Sequence, residues 1–254
     1  SNLLYLIQVK NALNEYKQKA LKTGLIDLKE GESMLDHMDY INMHLPYSNM
    51  GKKALAYLVR HEWRDTPKWL EIVKEVGMEE PIPKDPRGTI ESIIADSEFM
   101  AKDSEFTKRF AKTDSYQEVY ENKVASSLIA SKSIGNLYTA SLYLGFRSCL
   151  EFEFQKGVNL EGKRFGFASY GSGSSAMVFS GVIKPEHLPI VKEMNLETEI
   201  GERQKLSLED YEELHENKLE PNQSLLNARK EFVLEHVENI SSDKRGERRY
   251  AFIE

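Results

Sequence analysis

Residues 38–55 read MDYINMHLPYSNMGKKAL, and they carry the change from one periodicity to another. Residues 38–43 suit a short strand, though polar residues are mixed in. From Met50 to about Glu62 the pattern is helical, with Met50, Ala54, Tyr57 and Leu58 on one side. The loop between them lies at a strand end, where α/β folds place their chemistry. This loop holds His44. Pro46 follows, which keeps Leu45 extended and suits display of the imidazole. His44 is either an ordinary turn residue or a presented ring, and its position alone does not decide. Lys52 and Lys53 are likewise either a surface pair or cations placed for a phosphate at a helix start.

Working outward, residues 3–22 read as a helix. Leu6, Val9, Leu13, Tyr16 and Ala20 recur at helical spacing, and Gly24 terminates it. Residues 63–122 differ in texture. EEPIPKDPRG (79–88) is a loop with three prolines and a glycine. TPKWLEIVKEV and TIESIIADSEFMAKDSEFTKRF on either side are charged helical pieces. The region reads as a helical excursion from a compact core, serving as a lid or a partner surface. From Thr139 a helix places Leu142, Phe146, Cys149 and Leu150 on one face. KRFGFAS and AMVFSGVI then read as two strands joined by YGSGSS (170–175), with Lys184–Pro185 ending the second. SLED at 207–210 resembles a capping box opening a short helix with Tyr211 and Leu214 inward. The tail is charged, then briefly strand-like.

Composition narrows the function classes. The chain has 254 residues, 40% hydrophobic and 30% charged, with a net charge of −7. That balance supports a packed core and disfavours a broad nucleic-acid footprint. No apolar run approaches a membrane span, and residues 1–18 lack the features of a signal peptide. One cysteine excludes an internal disulfide, and the six histidines show no metal-ligand spacing. Cys149 lies mid-helix on the apolar side and reads as a small hydrophobe rather than a nucleophile.

Two further motifs admit a plain and a functional reading. In YGSGSS, glycines let the backbone approach a ligand and successive N–H groups form an oxyanion pocket, or the segment is simply a hairpin turn. In SIGNLYTAS (133–141), Asn136 either offers its amide to a ligand or caps the following helix.

Taken in order, HLPYSNMGKKAL (44–55), GNLYTASLYLG (135–145) and FASYGSGSSAMVFSG (167–181) resemble the hydroxymethylglutaryl-CoA synthase family of thiolase-superfamily condensing enzymes. The likeness runs from about residue 3 into the tail. It implies an α/β fold, the C-terminal half of a layered αβαβα thiolase-like architecture with a mixed sheet flanked by helices. Residues 1–254 would form one domain with a helical insertion at about 63–122. The family's N-terminal half supplies a nucleophilic cysteine and a glutamate base, which no residue here matches. That half is therefore expected on another stretch of the parent chain or on a separate subunit, and this half alone is expected to be inactive.

The resemblance also implies acetyl-CoA and acetoacetyl-CoA as substrates, no metal or redox cofactor, a homodimer as the complete enzyme, and a cytoplasmic mevalonate-pathway role. Residue by residue, His44 matches the active-site histidine and Asn136 the asparagine that orients substrate or histidine. The N–H of Ser172, beside Gly171, matches an oxyanion-hole contribution, and Tyr138 is a neighbouring candidate. Lys53 matches a CoA-binding lysine. Many members carry lysine five residues after the histidine, where this chain has Asn49. Lys52 is the candidate to compensate. The departure leaves room for a carrier-protein thioester, as in polyketide β-branching relatives, or for a non-catalytic acyl-CoA-binding partner.

Overall fold

The computed structural model describes residues 2–86, 88–203, 205–216, 231–239 and 243–253. Helix α1 (Asn2–Lys22) ends in Lys19 and Lys22, cations that suit its C-terminal dipole. Gly24 stops it at φ +68°, a conformation that L side chains rarely adopt. Tyr5, Val9, Leu13 and Ala20 form its buried stripe, with Leu6 and Tyr16 packed beside it.

Strand β1 (Tyr40–Met43) is buried at all four positions. It pairs in parallel with β2 (Arg164–Gly171), which pairs antiparallel with β3 (Ser175–Val182), so the sheet order is β1-β2-β3. Burial on both faces explains the mixed pattern of residues 38–43, because a covered parallel strand has no polar side to alternate. Ile41 and Met43 enter the larger core with α1 and α2 (Asn49–Trp63). Tyr40 joins Leu142, Cys149, Leu150, Phe165 and Phe167 in a second cluster under α7 (Ala140–Gln155). Phe146 meets Phe165 and Phe167 edge-on at 5.2 and 5.0 Å, and Phe167 stacks on Phe179 at 4.8 Å. Helices thus flank the small mixed sheet, as the α/β reading requires.

Residues 63–122 form α3 (Lys68–Val76), α4 (Ile90–Ala95), α5 (Ser97–Phe110) and α6 (Asp114–Lys123). Their inner side is aromatic. Trp69, Phe106, Phe110, Tyr116 and Tyr120 make a ladder with neighbouring centroids 5.3–6.5 Å apart. All five are buried in the same cluster as Met50, Leu55 and Val59 of α2. Buried Arg60 of α2 lies 4.5 Å from the Phe106 ring and donates to Glu80 (2.6 Å) and Asp103 (2.7 Å). This segment is part of the core on one side and charged only on the other. Short helices α8 (Leu188–Lys192) and α9 (Leu196–Gly201) follow β3. The Glu151 carboxylate accepts the N–H groups of Leu196 and Glu197 at the start of α9.

The chain divides into two compact units, 1–202 and 203–254. In the second, α10 (Leu208–His215) is capped by Ser207, whose Oγ accepts from the Asp210 N–H at 3.0 Å. Tyr211 and Leu214 are exposed rather than inward, and Tyr211 stacks on His215. Two turns of helix rich in Glu and Asp offer too little apolar surface to bury them. Strands β4 (Glu231–Val237) and β5 (Arg248–Ile253) form an antiparallel pair in which Phe232 faces Phe252.

If the aromatic ladder is core, Phe106→Ala should lower the unfolding free energy by about 3–5 kcal/mol, the range for a truncated buried phenylalanine. Urea titration followed by tryptophan fluorescence measures this. A midpoint within error of the parent chain would mean the segment is only laid over the core.

Candidate active site

The β1 ladder continues one residue beyond the strand: the His44 N–H donates to the Ala168 carbonyl at 2.9 Å. This places His44 at the carboxyl end of β1, the buried outer strand of the sheet. Its carbonyl accepts from the Tyr5 hydroxyl at 2.9 Å. Its ring packs beside Tyr5 of α1 (6.3 Å) and Tyr170 of β2 (6.2 Å), which meet each other edge-on at 5.0 Å. His44 is only 9% exposed, and burial lowers its pKa below the ordinary 6.5, which favours the neutral ring. Burial also raises the Tyr5 phenol, which stays protonated and available as a donor.

The fourth neighbour comes from the second motif. Ser141, in the first turn of α7, holds its Oγ 3.4 Å from His44 Nδ1 and accepts the Leu45 N–H at 2.9 Å. Upstream, the Asn136 Oδ1 accepts from the Tyr138 N–H at 2.7 Å, and Tyr138 sits at φ +50°. The residue at the helix cap is Thr139, so Asn136 shapes the turn before the helix instead of capping it. Asn136 is exposed, and its Nδ2 makes no hydrogen bond among the described residues. It lines a cavity of about 320 Å³ with Pro46, Tyr47, Ser131, Lys132 and Ser141. The His44 loop and the Asn136 turn are therefore two walls of one space.

The other candidates separate. Gly171 and Ser172 lead into the tip of the β2–β3 hairpin, where Gly173 and Ser174 take positive φ values of 74° and 57°. The hairpin reaches His44 through Tyr170, two residues before Ser172. Lys53 donates to the hydroxyl of Tyr47, a cavity-lining residue, at 3.3 Å. Lys52 instead lies 4.3 Å from the Tyr120 ring of α6, so the structure does not bring the two lysines together. Cys149 is fully buried and burial pushes its thiol pKa up, the opposite of an activated nucleophile. Sequence reasoning missed Tyr5, Ser141 and Tyr170 as neighbours of the histidine. The last two lie inside the quoted motifs; Tyr5 had no signal beyond helical spacing.

The profile described as "Hydroxymethylglutaryl-coenzyme A synthase C terminal" matches residues 1–238. The chain belongs to the hydroxymethylglutaryl-CoA synthase family. It is 24% identical to the hydroxymethylglutaryl-CoA synthase of Haloferax volcanii over 99% of this chain and 52% of that protein. The Saccharomyces cerevisiae synthase is 28% identical over 84% of this chain and 41% of its own length. Among solved structures, MvaS in complex with 3-hydroxy-3-methylglutaryl coenzyme A superposes with a TM-score of 0.66 at 26% identity. All of this chain and 50% of that one are covered. The curacin pathway HMG synthase in complex with holo donor-ACP shares the fold, with a TM-score of 0.63 at 20% identity, over 100% of this chain and 50% of its own. The chain thus spans about half the length of these synthases and corresponds to their C-terminal half.

The neutral His44 makes a prediction about stability. The native state binds fewer protons than the unfolded chain between the lowered value and 6.5, so stability is whole above pH 6.5 and declines as the pH falls through the lowered value. His61 shifts the same way, through burial and then Lys10. Glu80, where burial is outweighed by hydrogen bonds from Arg64 and Arg60, loses its contribution only below pH 4.5. Urea midpoints should therefore begin to fall just below pH 6.5, and His44→Gln and His61→Gln should each remove part of that early decline. A flat midpoint from pH 7 down to 5 would contradict it.

Proposed function

We propose that this chain is the acceptor-binding half of a condensing acyltransferase that joins an acetyl group to acetoacetyl-CoA, forming 3-hydroxy-3-methylglutaryl-CoA. The observation that carries the reading is the buried His44 at the end of β1, fixed by Tyr5, Tyr170 and Ser141, where Leu45 and Ser141 line a cavity with Asn136. Family membership supports it, as does the neighbour MvaS, solved with the product thioester.

In this reading the N-terminal half, on the same parent chain or a second subunit, carries the acetyl group on a cysteine. A carboxylate there removes a proton from the acetyl methyl. The enolate carbon attacks the ketone of acetoacetyl-CoA; the new C–C bond forms as the carbonyl π pair becomes an alkoxide. His44 is the general acid for that oxygen, and Asn136 Nδ2 orients the acceptor. The Ser172 N–H, with Gly171 allowing close approach, serves an oxyanion hole, and Tyr138, in the Asn136 turn, is exposed. Water then hydrolyses the thioester and frees the cysteine. Lys53, beside Tyr47, meets the CoA arm or its phosphates, and the thioester itself supplies the activation. A homodimer of complete enzymes in the cytoplasm, within the mevalonate pathway, fits the same reading.

Asn49 favours a second substrate form. Without a lysine at that position the site offers CoA one cation fewer, and Lys52 is engaged with Tyr120. A carrier-protein thioester needs fewer phosphate contacts. In the complete enzyme, His44→Ala should still form the acetyl-cysteine, detectable by mass, while condensation falls by roughly 10²–10⁴-fold, the usual share of a general acid. Normal turnover in that variant would sink the assignment. Faster turnover of acetoacetyl-carrier protein than of acetoacetyl-CoA would select the second substrate form.

A further inference from the structure

Ser141 has one hydroxyl hydrogen and two lone pairs, and three partners surround its oxygen. The Tyr138 carbonyl, at 2.7 Å, can only accept, so it takes the hydrogen. The Leu45 N–H, at 2.9 Å, can only donate, so it takes one lone pair. The remaining lone pair faces His44 Nδ1 at 3.4 Å. A nitrogen meeting a lone pair there bonds only if it carries a hydrogen.

We infer that Ser141 is a positioning residue that holds the neutral His44 ring as its Nδ1–H tautomer, so that Nε2 faces the acceptor as a lone pair and donates only from the imidazolium. The constraint reaches back to Asn136. Its Oδ1 fixes the Tyr138 N–H, Tyr138 adopts φ +50°, and the Tyr138 carbonyl is thereby aimed at Ser141. The titratable side chains in ring contact with His44 are Tyr5 from α1 and Tyr170 from β2, while α7 offers only the serine. The Tyr5 hydroxyl is committed to the His44 carbonyl. No carboxylate or ammonium hydrogen-bonds the ring among the described residues, so nothing competes with Ser141 for the tautomer.

This inference rests on the catalytic reading of His44 for its consequence, though not for the tautomer. The imidazolium gives its Nε2 proton to the alkoxide, producing the tertiary hydroxyl and a neutral Nδ1–H ring. Nε2 then takes a proton from water, and the carboxylate of the other half releases to water the one it removed from the acetyl group. Condensation should accordingly fall as the pH rises through the His44 titration.

The test uses the complete enzyme labelled with ¹⁵N-histidine, with His44→Gln identifying the signals. Above its titration, His44 should show a protonated Nδ1 and an unprotonated Nε2; the reverse would overturn the inference even if no variant folds. Ser141→Ala should move the neutral ring to the Nε2–H form that free imidazole side chains prefer. That ring still donates when neutral, so the loss of condensation at high pH should flatten, and Ser141→Thr should restore both behaviours. An unchanged tautomer in Ser141→Ala, or a wild-type rate that does not fall at high pH, would overturn it. If His44→Ala turned over normally, the catalytic reading would fail while the tautomer result stood by itself.

Discussion

The parallel pairing of Tyr40–Met43 with Phe165–Ala168 fixes much else in the first unit. Because both faces of β1 are covered, a one-residue slip would exchange the cluster under α7 with the cluster under α1 and α2, so the register is tightly set. The His44–Ala168 bond extends that register past the strand. The imidazole therefore inherits its position from the core rather than from a loose loop, and Leu45, buried and tied to Ser141, keeps it from swinging out.

Helix α7 has to pack closely on the 125–128 turn and meet β1 for this to work, and its small residues permit that. A Cβ on Gly145 would lie 3.2 Å from the Ser127 carbonyl. Ser148 donates to the Ser126 carbonyl at 2.7 Å, and Glu153 accepts from Tyr40 at 3.1 Å. These polar groups are buried but satisfied, which holds the helix at one height along the strand. Height matters because Ser141, two turns before Ser148, must meet both Leu45 and His44. The aromatic ladder of residues 63–122 acts from the other side. Tyr116 donates to the Lys52 carbonyl at 2.8 Å and so holds the start of α2, the helix that follows the His44 loop.

What the sequence made legible was whatever its periodicity or its glycines encode locally. Helix α1 with its stop at Gly24, the β2–β3 hairpin around Gly173, and the apolar face of α7 follow directly. The inward role of residues 63–122 was not legible. Trp69, Phe106, Phe110, Tyr116 and Tyr120 lie on three helices, and only tertiary packing lines them up. Tyr211 and Leu214 failed for the opposite reason: a capping signal gives a helix but says nothing of what covers it. At the site, His44 and Asn136 stood out by residue type and motif. Tyr5 and Ser141 did not, because their part depends on which way a hydroxyl and a carbonyl point.

The central claim is that the His44 loop and the Asn136 turn together receive the ketone of an acyl thioester. A crystal structure of the complete enzyme with acetoacetyl-CoA tests it most directly. The account predicts the ketone oxygen within about 3 Å of His44 Nε2 and of Asn136 Nδ2, with the thioester arm leaving past Tyr47 and Lys53. An acyl chain bound elsewhere, with neither side chain in contact with it, would contradict the account.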